Sequence, residues 1–230
     1  MQPRTRHLRK DCGRIPLEVP LAIALRRSRA RYPPYVNFPK ASGWAAWQRD
    51  YRYGTLVINP PPTLASVLNP IRERFDPASA AQIGAHITLT PPLAAAPSSE
   101  DEERVRTAIG GVAAMRLQLD RPSRFSGSSV VYLPVVPARP LLKLREVLLA
   151  TGLFRLDLPH TTDFVPHLTL SEFGTEPAAA LEADIPPGEA MAFRVEAVAW
   201  VVPDEAFHFT VRRTFMLAAG AHGRSVEDPQ

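Results

Sequence analysis

Residues 84–93 read GAHITLTPPL, and residues 163–173 read DFVPHLTLSEF. Each stretch holds His, an apolar residue, Thr and Leu in that order, with His167 lying 81 positions after His86. Side chains of a β-strand alternate between faces. Read as strands, His86, Thr88 and Thr90 share one face while Ile87 and Leu89 share the other. His167, Thr169 and Ser171 share a face in the same way, opposed by Leu168 and Leu170. Each stretch thus predicts a strand with one apolar side for a core and one polar side carrying an imidazole and hydroxyls.

Working outward, the two strands occupy matching slots. Before the first lie a β-rich run at Gly54–Asn59 and a helical pattern from Thr63 to about Phe75, with Leu64, Val67, Leu68 and Ile71 at helical spacing. After it come an acidic helix start at 98–102, with a capping box expected from Ser99 to Glu102, and a strand near Met115–Leu119. Gly110-Gly111 closes that helix. The second half repeats the order: a strand at Ser129–Val136, a helix at Pro140–Ala150, the strand Pro166–Ser171, a short helix at Pro177–Ala183 and a strand at Phe193–Val202. A final strand, His208–Leu217, has no counterpart. Two such halves predict an α+β fold: a bilobal, pseudo-twofold duplication with two mostly antiparallel sheets facing a central cleft and helices outside. The expected lobes are about 51–120 and 121–218, with 219–230 as a C-terminal tail.

Composition narrows the function classes. With 230 residues, 45% hydrophobic and 22% charged, the chain can bury a core. No run approaches the roughly 18 apolar residues that a membrane span needs. Cys12 is the single cysteine, which rules out an internal disulfide framework and a multi-cysteine zinc site. Charge is uneven: residues 1–31 hold nine Lys/Arg against Asp11 and Glu18, whereas the rest is net acidic. Residues 1–50 are therefore expected to be a basic, partly disordered arm, able to hold phosphate loosely. Neither a GxSxG elbow nor a phosphate-cradling glycine loop is present. The expectation is a cytoplasmic monomer with no membrane partner.

If the polar faces of the two strands meet, the cleft holds two imidazoles and several hydroxyls. That set suits phosphoester chemistry without a metal or other cofactor. One neutral imidazole takes a proton from the attacking oxygen, and one imidazolium gives a proton to the leaving oxygen. Hydroxyls and amides bind the non-bridging phosphate oxygens, where charge builds. The tripeptide alone is a weak signal, because His160-Thr161-Thr162 and His208-Phe209-Thr210 also fit it. His160 sits in a polar stretch without alternation, and His208 lies in a slot without a twin. His7 and His222 fall near the ends. Two histidines without a carboxylate at ligand spacing make a poor metal set.

The paired HITL and HLTL motifs, in matching slots of duplicated halves, resemble those of the two-histidine (2H) phosphoesterase superfamily, which includes 2′-5′ RNA ligase-like proteins and cyclic nucleotide phosphodiesterases. The resemblance covers about Tyr51 to Leu217 and leaves residues 1–50 outside. It implies a water-filled central cleft and metal-independent chemistry on 2′,3′-cyclic phosphates or 2′-5′ linkages, with an RNA end or a small nucleotide as partner. It implies His86 and His167 as general base and general acid in an order left open, with Thr88 and Thr169 binding the phosphate. Thr90, Ser171, Phe125 and Tyr132 are minor candidates. Trp44, Trp47, Tyr51 and Tyr53 are further rings that could stack a base, and Arg121 and Arg124 could meet phosphate. The alternative is a nucleotide- or RNA-binding module with the same cleft and little catalysis.

Overall fold

The computed structural model describes residues 37–159, 161, 163–172, 185 and 188–219. These described residues belong to one compact unit. Its strands, in chain order, are Thr55–Ile58 (β1), Ile87–Thr88 (β2), Met115–Leu119 (β3), Ser123–Arg124 (β4), Val131–Val136 (β5), His167–Ser171 (β6), Ala192–Val195 (β7), Ala197–Pro203 (β8) and Phe209–Met216 (β9). The helices are Ala46–Asp50 (α1), Pro62–Phe75 (α2), Pro77–Gln82 (α3), Ser99–Gly110 (α4) and Ala138–Leu149 (α5).

All strands join one curled, antiparallel sheet in the order β7-β3-β5-β6-β2-β1-β8-β9, with β4 beside β5. The α+β class and the pseudo-twofold order are those expected. Outward from the centre the sheet reads β6, β5, β3 on one side and β2, β1, β8 on the other. The two half-sheets are continuous through the β2–β6 pair rather than separate.

The sequence halves and the spatial halves do not coincide. β3 comes from the first sequence half but pairs with β5 and β7, and β8 comes from the second half but pairs with β1 and β9. Each half lends its last matched strand to the other, so the expected boundary at 120/121 is not a boundary in space. Alternation along a strand specifies its faces and not its partner, which is why the exchange is invisible in the sequence. The run expected as one strand at Phe193–Val202 is two, parted at Glu196, because β7 serves one side of the sheet and β8 the other. Gly54 (φ 80°) enters β1 so close to β8 that a Cβ would lie 2.0 Å from the Val201 carbonyl oxygen. Only a residue without a side chain fits there.

One apolar cluster spans both halves. It takes Leu56 and Ile58 from β1, Ile87, Leu133, Leu168 and Leu170 from the central strands, and Val198 and Trp200 from β8. α2, α4 and α5 add Leu68, Ile109, Leu141 and Leu148, all fully buried. α2 begins at Pro62, with Pro61 as its cap in place of Thr63; proline suits the first turn because its missing N–H has no partner there anyway. α4 opens with a capping box one residue earlier than expected: Ser98 accepts from the Asp101 N–H, and Asp101 accepts from the Ser98 N–H. α3 and β4 were not anticipated; Asp76 caps α3 by accepting from the Ser79 N–H. The expected helix Pro177–Ala183 lies outside the described residues.

Residues 37–50, expected to belong to the arm, pack on the body. Trp44 is buried and donates from Nε1 to the Glu205 carbonyl (2.8 Å), and Phe38 meets Tyr53 edge-on. No helix among the described residues is long and apolar enough to cross a membrane.

Candidate functional site

The centre of the sheet sets the site. β2 and β6 pair antiparallel with Ile87 opposite Leu168. Continuing that register places His86 beside Thr169 and Thr88 beside His167. Directly opposed side chains in such a pair have Cβ atoms about 4.5–5.5 Å apart. The two motifs therefore form a two-by-two block on one face, with each histidine neighbouring the other motif's threonine. All four side chains are partly exposed, whereas Ile87, Leu89, Leu168 and Leu170 on the opposite face are fully buried.

Both rings are held in the same way. His86 Nδ1 lies 2.8 Å from the Gly84 carbonyl oxygen, and His167 Nδ1 lies 2.7 Å from that of Val165, in each case two residues back. A carbonyl oxygen only accepts, so each Nδ1 carries the hydrogen. Each Nε2 is then the basic nitrogen of a neutral ring, or an acidic N–H of a charged one.

The surroundings of the rings differ. Burial pushes the His86 pKa down, and the positive charge of Arg72 and of a protonated His167 adds to this, against the opposing pull of the Gly84 carbonyl; it falls to about 4. Part of the His86 surface stays open, although protein surrounds most of the residue. His167 is also lowered by burial, opposed by its Val165 bond. The first proton to bind the pair therefore favours His167, and His86 stays neutral.

Phe125 and Tyr132 stack on each other (centroids 4.0 Å apart), and both meet the His167 ring, at 5.2 and 5.3 Å. Tyr132 pairs with Thr169 across β5 and β6, which puts it on the same face. These two rings were candidates for stacking a base; in the structure they wall His167. On the other side of the block, Asn59 follows Ile58, the partner of Ile87, and lines a hollow of about 280 Å³ with Ala197, Ala199, Val211, Thr214 and Arg194.

Thr90 and Ser171 do not join the open face. Thr90 is 1% exposed; its hydroxyl accepts from the Leu56 N–H at 3.1 Å and lies 3.2 Å from that of Thr55. Ser171 is 2% exposed, at the end of β6 where the pairing with β5 shifts register. Parity counted from the histidines fails at both ends, because β2 stops at Thr88 and a bulge displaces Ser171. Trp44, Trp47 and Tyr51 gather edge-on around Phe207, and Tyr51 also meets Phe209. Arg121 and Arg124 precede Phe125 in the chain, both exposed. His208 lies exposed beside Asp204, with 3.6 Å between Nδ1 and Oδ2. His160 falls outside the described residues, as do His7 and His222.

A charged layer, not among the residues singled out from the sequence, lies beneath the block. Arg72 on α2 is 2% exposed and donates to the Ile83 carbonyl (2.9 Å), three residues before His86. Asp76 accepts from the Glu172 N–H (2.7 Å) just beyond β6. Burial and the nearby Asp76 charge push the Glu172 pKa up. Among the described residues no three His, Cys, Asp or Glu side chains cluster as a metal set.

Comparisons agree with this architecture. The family model of the 2′-5′ RNA ligase superfamily matches residues 60–206. Among solved structures, LigT of E. coli complexed with 3′-AMP is similar at 24% identity and a TM-score of 0.50, over 71% of this chain and 96% of that one. The same protein complexed with phosphate matches at 22% and 0.50, over the same shares. A structure described as a phosphoesterase matches at 23% and 0.50, over 71% and 97%. No curated protein matches the chain in sequence. At these identities the structures speak for the fold, and the family match, over more than half of the chain, makes this protein a member of the 2′-5′ RNA ligase superfamily of two-histidine phosphoesterases.

Proposed function

We propose that the protein is a phosphoesterase that opens 2′,3′-cyclic phosphates, or cleaves 2′-5′ linkages, at an RNA end or in a small nucleotide. The observation that carries this reading is the two-by-two block of His86, Thr169, Thr88 and His167, with both rings held at Nδ1 so that both Nε2 atoms are left for chemistry.

In the ring-opening reaction the water oxygen attacks phosphorus and its proton passes to His86 Nε2. The bond from phosphorus to one ribose oxygen breaks, and that oxygen takes the Nε2 proton of His167. The product is a phosphomonoester on the other ribose oxygen, with His86 charged and His167 neutral until a proton returns through solvent. This division follows from the surroundings, because burial, with Arg72 adding to it, keeps His86 neutral before the proton arrives. Thr88 and Thr169 donate to the non-bridging oxygens, where negative charge grows. No metal has a role in this scheme. The hollow beside Asn59 has room for part of a nucleotide. A family member from E. coli that holds 3′-AMP supports a nucleotide ligand.

The test is turnover of 2′,3′-cyclic mononucleotides and of 2′-5′ linked oligonucleotides, resolving 2′- from 3′-phosphate products. Wild type turns over at least one of them, and His86→Ala and His167→Ala each lose about a hundredfold or more. Full turnover by either variant contradicts the scheme. Tight nucleotide binding by wild type without turnover at any pH would make the protein a binding module.

A further inference from the structure

Two arginines stand where the helices should be apolar. In α2 the buried stripe runs Leu64, Leu68, Arg72, and in α5 it runs Leu141, Arg145, Leu148. Both arginines are almost fully buried, at 2% and 7% exposure. Their sequence settings match: Ile71-Arg72-Glu73 in the first half and Leu144-Arg145-Glu146 in the second. A buried ion pair replaced whole by apolar residues is often no less stable, so a buried charge is by itself weak evidence of a stabilising role.

Their contacts give a reason. Arg72 donates to the Ile83 carbonyl at 2.9 Å. One turn earlier on α2, Asn69 Oδ1 accepts from the Ala85 N–H at 2.7 Å. That N–H lies in the same rigid peptide plane as the Gly84 carbonyl, the group that fixes the His86 ring. The approach to His86 is thus pinned on both sides of Gly84. Arg145 donates to the Thr161 carbonyl at 2.7 Å and to the Leu89 carbonyl at the end of the first motif. Its guanidinium also lies over the Phe164 ring at 4.2 Å, three residues before His167.

We propose that Arg72 and Arg145 are twin positioning residues, each a buried guanidinium on its own half's helix that fixes the chain entering β2 or β6 and so aims that half's imidazole. Arg145 also links the two motifs, since it holds the exit of the first and the entry of the second. Around Arg72 the facing charged groups are Asp76 on its own side, Glu172 beyond β6, and His86. The proposal builds on the phosphoesterase reading, yet half of its test does not need turnover.

The experiment compares Arg72→Met and Arg145→Met with wild type by steady-state kinetics on a 2′,3′-cyclic mononucleotide and by ¹⁵N–¹H spectra of the histidine rings. A misaimed group costs on the order of tenfold to a hundredfold, so kcat should fall that far with KM nearly unchanged. Thermal stability should fall as well, because Met leaves the Ile83, Leu89 and Thr161 carbonyls without their donor, so kcat is read at a temperature where each variant is folded. The ring of His86 in the first variant, and of His167 in the second, should change from a single Nδ1–H form to a mixture of tautomers. Asn69→Ala and Phe164→Leu, which leave both charges in place, should give the same signs with smaller size, and Arg→Lys should rescue only in part. Unchanged tautomers together with wild-type kcat in all four folded variants would overturn the proposal. So would a kcat loss that merely tracks the unfolded fraction. If wild type shows no turnover, the phosphoesterase reading fails, and the ring spectra alone decide the positioning role.

Discussion

The two motif strands are near copies in geometry and differ in surroundings. His86 and His167 each bond through Nδ1 to the carbonyl two residues back, and each stands beside the partner motif's threonine. Around His86 the neighbours are charged: Arg72 lies close by, with Asp76 and Glu172 behind it. Around His167 they are aromatic, Phe125 and Tyr132. In the proposed scheme the duplication supplies two equivalent groups, and their unequal surroundings divide the labour between them. Acid and base can then coexist on residues of identical type.

The largest effect expected breaks the symmetry outright. On a 2′,3′-cyclic phosphate both His86→Ala and His167→Ala lose about a hundredfold or more. On a nucleotide 4-nitrophenyl ester, whose leaving group needs no proton, His167→Ala should recover most of the loss and His86→Ala should not. Equal recovery by both variants, measured as kcat/KM, would show that the roles are not divided this way.

The hydroxyls come next. Thr88→Val and Thr169→Val should each lower kcat by roughly tenfold to a hundredfold with a smaller change in KM, because a hydrogen bond to a developing charge acts mainly in the transition state. Loss from one variant alone would mean that phosphate sits over one motif rather than between them.

The smaller effect concerns pH. The base must be neutral and the acid charged, so kcat/KM falls below the His86 pKa, about 4, and falls again as pH rises through that of His167, which burial lowers. Activity should therefore peak on the acid side of neutrality. Phe125→Ala with Tyr132→Ala opens His167 to water, which raises its pKa and moves the alkaline limb upward. A limb that stays in place would separate the rings from His167's titration. Stability should follow the same groups. Both histidines bind protons more weakly folded than unfolded, so their contribution is complete above about pH 6.5, the reference value, and declines as pH falls toward 4.

The sequence disclosed the block and little of its support. Alternation in HITL and HLTL told which side chains share a face, and their matching slots told which histidines to pair. It could not tell that β2 and β6 are direct neighbours, or that β3 and β8 cross to the opposite halves, because partner choice depends on the whole packed sheet. Thr90 and Ser171 were misplaced because parity holds only while the strand does. Arg72 and Arg145 were legible in principle, since each interrupts a leucine stripe at a core position; a helix pattern scanned only for its apolar members passes over them. The rings at 125 and 132 were picked out as aromatic, yet only the folded chain shows that they face His167.

The division of labour is tested most directly by titrating the two imidazoles of the ligand-free protein by NMR, with His86→Gln and His167→Gln used to assign the signals. The account predicts that His167 takes up the first proton, that His86 stays neutral until about pH 4, and that both begin as Nδ1–H tautomers. Protonation of His86 before His167 would contradict it.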